Sequence, residues 1–154
     1  MGCLMLTDNM DSMSSDKSHQ TSRVLVVDDE LSIRAFAERA LRGAGYEVAV
    51  ASDGPEALRL VEGEPRAFDL FVVDIAMPQM RGDELGRQLR QQNPDVKVLY
   101  FTGHSDRLFE SRQSLWEHEA FVEKPVTVRG LLEAVSLILF GHTNGRGVGS
   151  PSAA

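Results

Sequence analysis

Short aliphatic runs alternate with segments of helical periodicity from residue 23 to residue 140. Val24, Leu25, Val26 and Val27 form a compact run that predicts a strand over 24–27. Ile33, Phe36, Ala37, Ala40 and Leu41 then share one helical face, and Gly43 and Gly45 stop that helix. A second strand is predicted over 46–51, followed by a helix that opens on Pro55 and carries Ala57, Leu58 and Val61. The third strand, 68–74, is apolar almost throughout and ends in an acid, Asp74. A helix over 83–92 turns Leu85 and Leu89 inward and stops at Asn93 and Pro94. A fourth strand over 96–102, a helix over about 105–116, a short strand over 120–123 and a last helix over about 128–140 complete the series.

Five strands alternating with five helices predict an α/β fold with a doubly wound, five-stranded parallel sheet, helices on both faces. Right-handed crossovers leave few topologies, and the strand order 2-1-3-4-5 is adopted. Ligands of such sheets sit beyond the carboxyl ends of the strands, where the strand order reverses.

Outside this unit the pattern fails. Residues 1–22 are polar and without period, which predicts a disordered leader, and the Gly- and Ser-rich residues 141–154 predict a flexible tail. The folded unit is therefore placed at 23–140. With 23 acidic against 16 basic residues the net charge is -7, which argues against a nucleic-acid partner. The single cysteine, Cys3, excludes an internal disulfide. No apolar run approaches the ~20 residues that span a bilayer, so no membrane partner is expected and the location is read as cytoplasmic.

The chemistry gathers at the strand ends. Strand one runs into Asp28, Asp29 and Glu30, strand three ends in Asp74, strand four in Thr102, and strand five runs into Lys124 and Pro125. Taken singly, each has an ordinary explanation as a turn, a cap or a solvated charge. Brought to one sheet edge, three carboxylates repel, and one of them stays protonated unless a cation intervenes. Mg²⁺ suits a site of few carboxylates, with Asp29 and Asp74 as direct ligands, Asp28 through water and the Ala76 carbonyl as a further oxygen. Phosphoryl transfer follows: Asp74 as the nucleophile, Lys124 neutralising the incoming group, and Thr102 donating its hydroxyl to it.

Val24 to Glu30, Val72 to Gly82, Phe101-Thr102-Gly103 and Phe121 to Pro125 together closely resemble the receiver domains of two-component response regulators, across roughly Arg23 to Phe140. The resemblance implies the flavodoxin-like receiver fold, a phosphoacceptor at Asp74 served by a histidine kinase or phosphotransfer protein, and Mg²⁺ held by Asp28 and Asp29. It further implies a switch completed by Thr102, Lys124 and Phe121, and a cis Lys124-Pro125 bond. The chain is read as a switch and not an enzyme, with no output domain. The alternatives are a scaffold that is never phosphorylated and a flavodoxin-like cofactor binder.

Departures from the family pattern are also present. Arg81 stands where Asp is usual and is read as a change of surface charge alone. Phe121 is either a mobile switch or a plain buried strand residue. His104 lies near enough to Thr102 to bear on phosphate loss, with a solvated loop residue as the alternative, and Trp116 is read as packing. Leu137 to Phe140 is denser than one buried face requires. It is either tightly packed or a surface for a homodimer or target, on the face of the 105–116 helix, strand five and the last helix.

Overall fold

The computed structural model of the chain describes residues 21–103 and 119–141. The expected leader up to residue 20, the 105–116 helix with His104 and Trp116, and the tail from residue 142 lie outside the described residues. Five strands and four helices are found among those described: β1 Arg23–Val27, α1 Leu31–Gly43, β2 Glu47–Ala51, α2 Gly54–Gly63, β3 Leu70–Asp74, α3 Gly82–Gln92, β4 Val98–Thr102, β5 Glu119–Glu123 and α4 Val128–Phe140. All pairings are parallel and the order is β2-β1-β3-β4-β5. The expected sheet is the sheet observed.

Alternation along the strands divides the core in two. Leu25, Val27, Phe71, Val73, Val98 and Tyr100 face the layer holding Ala57, Leu85 and Leu89 of α2 and α3. Val24, Val26, Leu70, Val72, Leu99 and Phe101 face Ala37, Leu41, Leu131 and Val135 of α1 and α4. Both faces are buried, which is why these strands read as unbroken apolar runs. The strand ends are thereby fixed by packing beneath them, a rigid base for polar side chains above.

Local chemistry sets the helix ends. Asp53 caps α2 by accepting from the Glu56 amide at 2.8 Å, and the Glu56 carboxylate accepts from N–H and Oγ of Ser52, the residue before the cap, with Pro55 in the first turn. Thr127 caps α4, which ends at Gly141 with φ 79°. Among the described residues, no helix is long and apolar enough to cross a membrane.

Several boundaries depart from the sequence reading, those of β1, β2 and α3 by one residue each. β3 starts at Leu70 and not at 68, because Asp69 is occupied with Arg23: its carboxylate accepts the Arg23 amide at 2.8 Å, and its amide donates to the Arg23 carbonyl. Phe68 instead packs on Phe71 and under the Arg23 guanidinium, 4.4 Å from the ring centroid. β4 begins at Val98, since the Val96 amide closes a turn on Asn93 O. β5 begins one residue early, at Glu119.

Arg81 also departs from expectation. It occupies the N-cap position of α3 and makes no capping bond; its guanidinium reaches Asp83 at 3.2 Å instead. A cation there opposes the positive end of the helix dipole, so more than surface charge is at stake. Arg81→Asp is predicted to raise stability by about 1 kcal/mol in urea denaturation. A neutral or destabilising result would show that this helix start does not need a cap.

Candidate functional site

The carboxyl ends of β1, β3 and β5 converge on one acidic pocket. Asp28, just past β1, and Asp74, the last residue of β3, are both buried, whereas Asp29 is exposed at the rim. One carboxylate oxygen from each of the three lies within 4.8 Å of those of the others. Parallel pairing of β1 with β3 places these strand ends side by side, so the cluster follows from register.

Lys124 projects into this cluster from the loop after β5. Its Nζ donates to Asp74 Oδ1 at 3.2 Å and lies 3.5 Å from Asp28 Oδ2. The Lys124-Pro125 peptide bond is cis, as expected. The Lys124 amide also donates to the Thr102 carbonyl at 2.9 Å, tying the lysine to the end of β4. Thr102 is buried there, in register with Glu123.

Burial and mutual repulsion decide the protonation states. Desolvation, then the Asp28 charge, push Asp74 up from 3.8 to about 6, against the opposing pull of Lys124. Burial likewise raises Asp28, despite its bond from Glu30 and the nearby ammonium. Burial pulls Lys124 down, but Asp28 and Asp74 together outweigh it and leave the ammonium above its ordinary pKa. One lysine does not compensate the carboxylates.

A hard cation fits this imbalance. Asp28 Oδ1 accepts from the Glu30 amide at 2.9 Å, whereas Oδ2 is buried without a hydrogen-bond partner. An orphaned buried carboxylate oxygen beside two further carboxylates is a donor set for a divalent ion with oxygen ligands.

The loop after Asp74 closes back on the strand it leaves. Met77 and Gly82 amides both donate to Ile75 O, at 3.1 and 2.9 Å. A Cβ at Gly82 would lie 2.3 Å from the Asp74 carbonyl oxygen, so only glycine permits this closure. Ala76 is exposed within the loop, two residues past the acid.

Phe121, on β5, is half-buried and stacks on Tyr100 of β4, with centroids 5.3 Å apart at 29°. It is therefore neither free nor fully buried. Beneath the stack lies a network that sequence reasoning missed: Tyr100 Oη donates to Glu119 at 3.0 Å, and Glu119 also pairs with Arg90 of α3. Gly86 makes room for the hydroxyl, since a Cβ there would fall 2.0 Å from Oη. The one available signal was Gly86 itself, beside the core position Leu85.

A 2-1-3-4-5 sheet with an acid cluster at its switch point, a lysine after the last strand and a threonine ending the fourth defines the receiver class. Comparison with known proteins agrees. The family model of the response regulator receiver domain matches residues 24–136, and the chain belongs to that family. The response regulator receiver protein CpdR of Brucella abortus is 31% identical over 117 residues, covering 76% of this chain and 96% of CpdR. Sensor kinase CckA of the same organism is 34% identical over 119 residues, which cover 77% of this chain but 13% of that protein. Among solved structures, the response regulator TrrA of Thermotoga maritima, in complex with Mg²⁺-BeF, superposes with a TM-score of 0.66 at 33% identity, covering 77% of this chain and 100% of that one. Receivers are modules of two-component systems, and Mg²⁺ and phosphorylation are general to the family.

Proposed function

We propose that this chain is a phosphoacceptor switch: Asp74 takes a phosphoryl group from a histidine kinase or phosphotransfer protein, and the partner-binding face changes in response. The observation that carries the reading is the contact of Lys124 with both Asp28 and Asp74 in a pocket whose carboxylates lie within 4.8 Å of one another.

Asp74 offers a carboxylate oxygen to the phosphorus of a phosphohistidine. The P–O bond forms as the P–N bond breaks, and the imidazole leaves with the bonding electron pair and takes up a proton. Asp28, Asp29, Asp74 and the Ala76 carbonyl are the residues that would hold Mg²⁺, which when bound supplies positive charge to the phosphoryl oxygens. Lys124 holds Asp74 in place beforehand and shares that neutralisation afterwards. Thr102 turns its hydroxyl to a phosphoryl oxygen, and the resulting shift of β4 is felt at Phe121 through the stack with Tyr100. The chain acts as a switch, not as an enzyme.

The TrrA complex with Mg²⁺-BeF supports the cation, and the CpdR match over 96% of that protein supports action as a single-domain module. The family supports a cytoplasmic setting. Leu137 and Phe140 are 54% and 49% exposed, which favours a surface for a second copy or a target over tight packing of the helix end.

The test uses phosphoramidate, a small P–N donor, with Mg²⁺. One acyl phosphate per chain is expected, discharged by hydroxylamine. A label that survives hydroxylamine is not an acyl phosphate and would overturn the reading.

A further inference from the structure

We infer that Arg34 is a positioning residue for the cation site, holding the main chain at Asp28 so that Asp28 and Asp29 stay beside Asp74. The inference rests on the Mg²⁺ reading above. Arg34 lies in α1, where its amide makes the first helical bond, to Glu30 O at 3.0 Å. Its half-buried side chain turns back over that first turn, and Nη1 donates to the Asp28 carbonyl at 2.6 Å.

Asp28 is thus held at three points. Its amide donates to Ala51 O at 3.2 Å, its Oδ1 accepts from the Glu30 amide, and its carbonyl accepts from Arg34. Oδ2 faces the Lys124 ammonium at 3.5 Å but has no hydrogen-bond partner, and it is the oxygen open to a cation. The carbonyl bond matters most for Asp29, because the Asp28 carbonyl and the Asp29 amide belong to one rigid peptide plane. Without Arg34 that plane is free to turn, and the exposed Asp29 turns with it. The helix start offers no substitute, since Glu30 at the N-cap makes no side-chain capping bond.

Two effects of removing Arg34 have opposite signs. Losing a positive charge near an acidic pocket strengthens cation binding; losing the support of a ligand weakens it. Arg34 directs its guanidinium at the Asp28 carbonyl and, among the described residues, forms no ion pair with Asp28, Asp29 or Asp74, so little charge is lost from the pocket itself. Loss of a group supporting a metal ligand costs about 10–100-fold in affinity. Position therefore outweighs charge.

The experiment is a MgCl2 titration of the full chain, followed by amide NMR, on wild type, Arg34→Gln and Arg34→Lys. Arg34→Gln is expected to bind at least about tenfold more weakly. Arg34→Lys, which keeps the charge and one donor but loses the planar fork, is expected about threefold weaker than wild type. Thermal melting without Mg²⁺ reports stability separately, and a lowered Tm with unchanged affinity would make Arg34 merely structural and overturn the inference. Should Arg34→Gln not fold, Arg34→Lys decides alone, and affinity equal to or tighter than wild type overturns the claim. A wild type without saturable shifts would instead sink the cation site itself.

Discussion

Gly82→Ala loses roughly 3 kcal/mol of stability in urea denaturation and most of its capacity to be phosphorylated. The methyl group would sit 2.3 Å from the Asp74 carbonyl oxygen, 2.9 Å from its carbonyl carbon and 2.9 Å from Ile75 Cα. All three are backbone atoms, so no rotamer change relieves the clash. The loop must open, breaking the Gly82 amide bond to Ile75 O, and Asp74 moves with it. Gly86→Ala is the informative control. Its clash is with the Tyr100 hydroxyl, which can swing away at the cost of its bond to Glu119. A smaller loss of about 1–2 kcal/mol is expected there. A Gly82→Ala protein within 1 kcal/mol of wild type would show that the loop does not depend on this approach.

Asp74→Asn, by contrast, stabilises the metal-free protein at neutral pH. The native Asp74 carboxyl titrates at about 6 against 3.8 for the free group. The folded state therefore binds this proton more tightly than the unfolded chain, and between those values it carries more protons. Stability falls as pH rises through that window, is unpenalised below about 4 and carries the full cost above about 6. The difference is worth roughly 2–3 kcal/mol, and the asparagine, which cannot ionise, escapes it. In EDTA at pH 7.5 the variant should melt roughly 5–10 °C above wild type, and the gap should close toward pH 4. Mg²⁺ should raise wild type more than the variant. Equal melting at both pH values would show that the acidic pocket carries no strain for a cation to relieve.

Both predictions concern features that differ in how openly the sequence displays them. The sheet was legible because Val24 to Val27 and Leu70 to Val73 are buried on both faces and so read as plain apolar runs. The acids were legible because Asp28 and Asp74 end those runs, and a parallel sheet has one carboxyl edge. What escaped depends on where distant side chains meet. Glu119 reads as a surface residue, yet its side chain is fully buried, its charge neutralised by Arg90, 29 positions away, and its carboxylate accepting a hydrogen bond from Tyr100. Arg34 resembles any polar helical residue until the turn before it is built. Arg81 is the exposed charge that the sequence suggests, but its place at the N-cap emerges only because the helix starts at Gly82, one residue before Asp83.

A negative pocket that becomes useful only when positive charge enters it is the core of this account. Its most direct test is the intact mass of wild type and Asp74→Asn after acetyl phosphate and Mg²⁺. One added phosphoryl group on wild type, none on the variant and none on wild type in EDTA is the predicted result. A variant that gains the same mass as wild type would place the acceptor elsewhere and contradict it.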